Sequence, residues 1–346
     1  MAENEAGLPE AYFKLDPDNM RKAILETPVQ AEQGYKLAEA IDFGKLHGKY
    51  SSVLIAGMGG SAIAGLLLKG YLADDPVRIE VVQDYTLPKW ADKQTLFIAC
   101  SYSGNTEETL SVYKEARRKG CDVIVVTTGG KIEEYARVSN LIIINIPSGY
   151  QPRAAMAYQF FAMLRVLEKL RIVESKAKDV LRLKEDLKAQ LQSLEKNALI
   201  LSEKLLHKTP LVYTSKRFEA IGYRWKCQFN ENSKIMAFSN VFSEMNHNEV
   251  EGFANLRASY HAILLRFDED HRRVQKRMSL VKDILLKEGV SDTDIGIRGA
   301  SLLSKMFSAI ILGDLTSYYL ALRLGVNPST VALIEGFKEK LGSYVA

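Results

Sequence analysis

The chain has 346 residues, 47% hydrophobic and 25% charged, a globular balance that argues against extended disorder and suggests about two domains. Its 46 basic and 42 acidic side chains leave a formal net charge of +4, too small and too scattered to propose a nucleic-acid surface. No apolar run approaches the roughly 18 residues of a membrane span.

The acidic start Met1-Ala2-Glu3-Asn4-Glu5 lacks the basic and apolar regions of a signal peptide. Cys100, Cys121 and Cys227 show no CxxC spacing and read as small buried thiols in a reducing compartment, so a cytoplasmic protein is expected. Helical patterning runs through the first fifty residues, over Met20 to Leu25 and Val29 to Ala40. Strands are predicted at Ser52 to Ala56, Val77 to Gln83, Thr95 to Cys100, Asp122 to Thr127 and Leu141 to Ile144. They are short and almost continuously apolar, as parallel strands buried on both faces are. Helices at Ala62 to Leu68, Thr106 to Lys119 and Lys131 to Ala136 alternate with them, which predicts a three-layer α/β domain. Two further helices follow, Ala154 to Leu170 and a long amphipathic one from Ser175 to Leu206. A second strand-helix series then begins. It has strands at Pro210 to Thr214, Lys234 to Phe238 and His261 to Phe267, and helices at Phe218 to Phe229, Arg272 to Leu286, Leu302 to Leu324 and Val331 to Lys340. The two series share an order of elements, so a tandem pair of related domains is expected.

Open parallel sheets bind ligands beyond the carboxyl ends of their strands. One such loop is Gly57-Met58-Gly59-Gly60-Ser61, where glycines allow unusual backbone and the next helix offers free N–H groups. It could also be only a tight turn. A stronger loop is Ser101-Tyr102-Ser103-Gly104-Asn105-Thr106, whose three hydroxyls around a glycine, just before a helix, suit a phosphate monoester. Helix capping by Thr106 is the competing explanation. Neither loop contains lysine or a GxxxxGK[ST] pattern, so a nucleotide triphosphate site is not expected. Arg153 follows Pro152 at the start of a helix. In the second half, Asn230-Glu231-Asn232 and Asn246-His247-Asn248-Glu249 bring together a carboxylate and a histidine able to move protons near neutral pH. His247, Glu249 and Glu251 do not match a metal-binding spacing. His47, His207, His261 and His271 read as structural or solvated.

These motifs, with Thr316-Ser317-Tyr318-Tyr319-Leu320-Ala321, make the chain resemble the bifunctional phosphoglucose/phosphomannose isomerases. This branch of the phosphoglucose isomerase superfamily is built from sugar isomerase (SIS) domains, and the resemblance spans the chain from about residue 20. It implies an α/β fold of two tandem three-layer α/β/α SIS domains with parallel-sheet cores. The expected division is a helical segment over residues 1–40, a first SIS domain over 41–154, connecting helices over 155–206, and a second SIS domain over 207–346.

The implied activity is reversible isomerisation of glucose 6-phosphate and mannose 6-phosphate with fructose 6-phosphate, through a cis-enediol(ate). Carried over by motif, Gly59, Gly60, Ser61, Ser101, Ser103 and Thr106 would hold the phosphate. Glu231 would be the base between C1 and C2, His247 would open the sugar ring, and Arg153 would stabilise the enediolate charge. Thr316 is similar to the residue credited with leaving room for both C2 epimers. A lysine commonly assists ring opening seven residues later; here the position is Arg323, which stays protonated. The resemblance further implies a homodimer with His247 reaching the other subunit's site. No redox cofactor or metal is called for. Another SIS-domain sugar-phosphate isomerase, acting on an amino-sugar or pentose phosphate, is the alternative enzyme, and a substrate panel separates the two. A sugar-phosphate sensor without catalysis would share the phosphate loops but leave Glu231 with His247 unexplained.

Overall fold

The computed structural model describes residues 9–44, 46 and 48–342. The acidic start and His47 lie outside them. The chain forms two compact units that do not follow chain order: residues 26–184 with 341–342, and residues 9–25 with 185–340. These limits differ from boundaries near residues 40, 154 and 206, because the N-terminal helical segment is divided after residue 25 and residues 155–184 join the first unit. Helix α1 (Met20–Leu25) belongs to the second unit and helix α2 (Thr27–Leu37) to the first.

In the first unit, β1 (Ser52–Ala56) leads into α3 (Gly59–Tyr71), then β2 (Ile79–Val82), β3 (Thr95–Ser101) and α4 (Glu107–Arg118). These are followed by β4 (Asp122–Thr127), α5 (Gly130–Val138), β5 (Ile142–Asn145) and α6 (Met156–Lys169). The sheet is parallel throughout, in the order β2-β1-β3-β4-β5. Val53, Leu54, Ile55 and Ala56 are all fully buried, as a central strand covered on both faces requires. Leu54, Phe97, Ala99, Val123 and Val125 pack against Leu110, Tyr113 and Ala116 of α4 and against Ile132 and Ala136 of α5. The opposite face carries Ile55 and Val81, close against Gly65 of α3. Helices therefore cover both faces, giving the three-layer α/β arrangement expected from the sequence. Removing one of these side chains, as in Leu54→Ala, leaves a cavity costing about 2–5 kcal/mol.

Helix α7 (Ala177–Lys204) gives its first residues to this unit and the rest to the second. The second unit continues with β6 (Thr209–Ser215), α8 (Glu219–Glu231), β7 (Phe238–Phe242), β8 (Tyr260–Arg266) and α9 (Arg272–Lys287), then β9 (Ser291–Gly296), α10 (Leu302–Arg323) and α11 (Ala332–Leu341). Its parallel sheet runs β7-β6-β8-β9. Numbered within each unit, both sheets share the order 2-1-3-4. Leu211, Tyr213, Ala262 and Leu264 pack against Met278, Val281 and Leu285 of α9. On the other face, Val212 and Thr214 approach Gly222 of α8.

Two strands depart from the sequence reading. The strand expected at Lys234 to Phe238 lies at Phe238–Phe242, because Asn232 and Ser233 are bonded to α10 and Asn230 Nδ2 reaches back to the Ile235 carbonyl. Strand β9, Ser291-Asp292-Thr293-Asp294-Ile295-Gly296, has one large apolar residue and no strand-like pattern that would announce it. It lies at the sheet edge, where polar side chains discourage further pairing.

His261 on β8 is buried, with Nδ1 2.9 Å from Ser291 Oγ and Nε2 2.8 Å from Thr293 Oγ1. Burial, reinforced by Lys204 and Lys208, lowers its pKa from 6.5 to about 4. The folded protein therefore keeps this ring neutral while the unfolded chain takes up a proton. Stability should fall as pH drops from 6.5 towards 4, with uptake on unfolding approaching roughly one proton from this ring. Denaturant unfolding of His261→Gln across that range should show a flatter pH dependence; an unchanged slope would count against the assignment.

Candidate active site

In the first unit the strand order reverses between β1 and β3, and the loops leaving those neighbours end at one edge of the sheet. Both proposed phosphate loops are there. Gly104 has φ +68°, and a Cβ on it would stand 1.7 Å from the Gly129 carbonyl oxygen, so glycine alone fits. The segment after β4 holds the loop from behind. Thr128 N–H and hydroxyl both donate to the Tyr102 carbonyl, at 3.1 and 2.7 Å, and Ile132 N–H donates to the Gly104 carbonyl at 3.0 Å.

The hydroxyls of this loop do not cap α4. Thr106 stands at the N-cap position with no side-chain hydrogen bond to the helix backbone; its Oγ1 instead accepts from Ser101 Oγ at 3.1 Å. Ser101 Oγ accepts from Gly104 N–H at 3.1 Å, and Ser103 Oγ, on an exposed residue, accepts from Asn105 N–H at 3.3 Å. Helix α3 likewise begins without a side-chain cap, at Met58. Two helix N-termini thus end at one sheet edge with backbone donors that no side-chain cap satisfies, a setting that favours an anion.

The two loops are joined through buried Ser61. Its Oγ accepts from Tyr102 N–H at 3.3 Å and from Gln159 Nε2 of α6 at 2.7 Å. Arg153 belongs to the same cluster. It is buried in a 3₁₀ turn, Pro152–Ala155, whose backbone lies so close to Gly60 that a Cβ there would meet the Pro152 oxygen at 2.9 Å and Arg153 Cα at 3.0 Å. Tyr102 hydroxyl donates to the Pro147 carbonyl at 3.2 Å and accepts from Tyr150 N–H at 3.0 Å, fastening the segment that leads to Arg153. Gly59, Gly60, Ser61, Ser101, Ser103, Thr106 and Arg153 are therefore carried by connected segments of one unit. Gln159 is not among the residues the sequence singles out; its signal is a lone amide in the apolar run Ala157-Tyr158-Gln159-Phe160-Phe161.

Glu231, His247, Thr316 and Arg323 belong to the second unit. Half-buried Glu231 is the last residue of α8. That helix is fixed to α10 by a buried ion pair, Arg224 Nε to Asp314 Oδ1 at 3.0 Å and Nη2 to Oδ2 at 2.6 Å, with Gln228 Nε2 also on Asp314 at 3.0 Å. Just past Glu231, Asn232 Nδ2 donates to Ser317 Oγ at 3.0 Å and Ser233 Oγ to the Ser317 carbonyl at 2.6 Å. Thr316 is fully buried and donates its hydroxyl proton to the Leu312 carbonyl at 2.7 Å, so it offers volume rather than a donor. Arg323 is engaged by α7, Nε donating to Ser202 Oγ at 3.0 Å and Nη2 pairing with Glu203 at 3.6 Å.

His247 ends a 3₁₀ turn, Glu244–His247, after β7; it is exposed, and its side chain makes no hydrogen bond among the described residues. Its loop is anchored by Glu249, which accepts from Tyr213 hydroxyl at 2.6 Å and from Asn240 Nδ2 at 2.5 Å. Burial, and then the Glu249 charge, push the Tyr213 pKa far above the ordinary phenol range, so that this bond keeps its proton. Among the described residues no group of three or more His, Cys, Asp or Glu side chains could hold a metal. At the reversal of the second sheet, buried Phe218 and Phe267 follow β6 and β8 and stack with ring centroids 3.7 Å apart.

Because Thr106 does not cap α4, Thr106→Ala should cost clearly less than the typical ~1 kcal/mol of a lost N-cap. It should still weaken binding of a phosphate ligand. Denaturant unfolding and a binding titration of the variant separate these effects, and a full cap-sized stability loss would restore the capping explanation.

Residues 194–341 match the family model for the bacterial phospho-glucose isomerase C-terminal SIS domain. A curated relative from Caldicellulosiruptor bescii, named a bifunctional phosphoglucose/phosphomannose isomerase, is 39% identical over 334 residues, spanning 93% of this chain and 98% of that one. A relative of the same name from Aquifex aeolicus is 36% identical over 322 residues, 90% and 98% of the two chains. The crystal structure of a hypothetical protein from Thermus thermophilus matches with a TM-score of 0.73 at 15% identity, covering 96% of this chain and 94% of that one, a likeness of fold alone. Among the described residues no helix is long and apolar enough to cross a membrane. The chain belongs to the bifunctional phosphoglucose/phosphomannose isomerase family.

Proposed function

We propose that this protein interconverts glucose 6-phosphate and mannose 6-phosphate with fructose 6-phosphate. The observation that carries the reading is the phosphate cradle: Ser61, Ser101 and Thr106 at two helix N-termini without side-chain caps, with Arg153 fastened beside Gly60. Family membership supplies the sugar. Hydroxyls and backbone N–H groups suit a phosphate monoester, and a phosphate gripped at C6 leaves C1 and C2 for the reaction.

In this mechanism His247 moves the O1 proton to the ring oxygen as the C1–O5 bond breaks, freeing the open-chain aldehyde. Glu231 takes the proton from C2. The electron pair left behind forms the C1–C2 double bond while the carbonyl electrons move onto O1, and Arg153 stabilises this cis-enediolate. Glu231 then delivers its proton to C1 while the O2 proton passes to O1, which closes the C2 carbonyl and gives the ketose. Return of the proton to either face of C2 gives either aldose, with Thr316 providing room through its volume. Arg323 stays out of these steps because Ser202 and Glu203 hold its guanidinium. The protein acts as a homodimer in which exposed His247 serves the other subunit's site. No metal or redox cofactor takes part.

A coupled assay should detect fructose 6-phosphate from both aldoses; activity on neither would sink the reading. Glu231→Gln should lower kcat by about 10²–10⁴-fold, the usual contribution of a general base, with KM little changed. Near-wild-type kcat would reject the base. Co-expressed Glu231→Gln and His247→Ala chains test the dimer. Each variant should be inactive alone, but a mixed dimer contains one intact site if His247 crosses over, so activity should return to about a quarter of wild type under random pairing. No recovery would place His247 in its own chain's site.

A further inference from the structure

Ser61 is constrained more tightly than a phosphate-binding hydroxyl needs to be for packing. A serine hydroxyl has two lone pairs and one proton. Tyr102 N–H and Gln159 Nε2 both donate to Ser61 Oγ, so both lone pairs are occupied and the group can act only as a donor. The Cys100 thiol lies within hydrogen-bonding reach of that hydroxyl, but sulfur is a weak acceptor and would yield readily to a charged phosphate oxygen.

Gln159 is fully buried on α6, between Tyr158 and Phe160 in sequence, and its Oε1 has no hydrogen-bond partner among the described residues. An unmet buried acceptor is a standing cost to the fold. Leucine would fill a similar volume without it, so packing does not explain the amide. With Oε1 facing Ser61 instead, the side chain would take the serine proton and remove a donor from the anion site.

We propose that Gln159 is a positioning residue for phosphate recognition: by donating to Ser61 Oγ, it commits the Ser61 hydroxyl to donate to the phosphate of the substrate. This rests on the reading of Ser61 as a phosphate ligand. The class of ligand is a phosphate monoester, whose oxygens accept without donating.

The test uses the full chain carrying Gln159→Leu, Gln159→Glu, Ser61→Ala and the double variant Ser61→Ala/Gln159→Leu. Phosphate affinity is read from the dependence of Tm on inorganic phosphate, which needs no turnover. KM and kcat for fructose 6-phosphate are measured alongside. Gln159→Leu should weaken phosphate binding and raise KM by about tenfold, near the worth of one hydrogen bond to a charged group, with kcat within about twofold and ligand-free Tm equal or higher. Gln159→Glu should weaken binding further, since a carboxylate accepts the serine proton and repels the anion. In the Ser61→Ala background, Gln159→Leu should cause no additional loss. Unchanged phosphate affinity in Gln159→Leu would overturn the proposal, as would losses that simply add in the double variant. Unchanged affinity in Ser61→Ala would overturn it by removing Ser61 from the site. A wild type without isomerase activity would reject the proposed reaction while leaving the phosphate readout intact.

Discussion

The reversal of strand order between β1 and β3 is the constraint on which the rest of the first unit depends. Parallel strands are linked by right-handed crossovers, so chain leaving two neighbours in opposite lateral directions opens a crevice at the carboxyl edge. The loops after β1 and β3 must border that crevice, and the helices they start, α3 and α4, direct their N-termini to the same edge. Glycine is then required where backbones converge: Gly104 against Gly129, and Gly60 against the turn that carries Arg153. Hydroxyls in such a place are surplus to capping, and the bonding of Thr106 and Ser101 to each other shows them unused for it.

The second unit solves a different problem, holding a carboxylate at the last residue of a helix, where fraying is normal. Its answer is buried polar contact on both sides of Glu231. Arg224, Gln228 and Asp314 lock the preceding turns of α8 to α10, while Asn232 and Ser233 pin the following residues to Ser317. A buried ion pair is a weak source of stability compared with apolar packing, since desolvation offsets much of its attraction. Its directional bonds are better suited to fixing one helix register on another. Glu249 does comparable work for the loop of His247, with both oxygens taken by Tyr213 and Asn240.

Much of this is legible in the sequence because burial leaves a plain trace there. Strands covered on both faces read as apolar runs, and β1, β3 and β4 fall within a residue of their expected limits. The edge strands of the second sheet leave a weaker trace: β7 is displaced from its expected place and β9 goes unseen, since their exposed or half-buried positions include serine, aspartate and asparagine. The compact units are not legible either. Whether α1 and α2 part company after residue 25 depends on contacts between residues far apart in sequence. Of the candidate site, residue types and loops can be read, whereas Gln159 leaves only a lone amide in an apolar run, because its partner Ser61 lies 98 positions away.

The stacked rings of Phe218 and Phe267 bear on why two units of one strand order read so differently in sequence. In the second sheet these rings stand after the strands that correspond to β1 and β3, where the first sheet has glycine and serine. A crevice filled by aromatic side chains is held by hydrophobic packing, which tolerates many substitutions of similar volume. Such packing makes no demand for the glycines and hydroxyls of an anion site. A half packed in this way can carry, at the ends of its helices, residues with other duties.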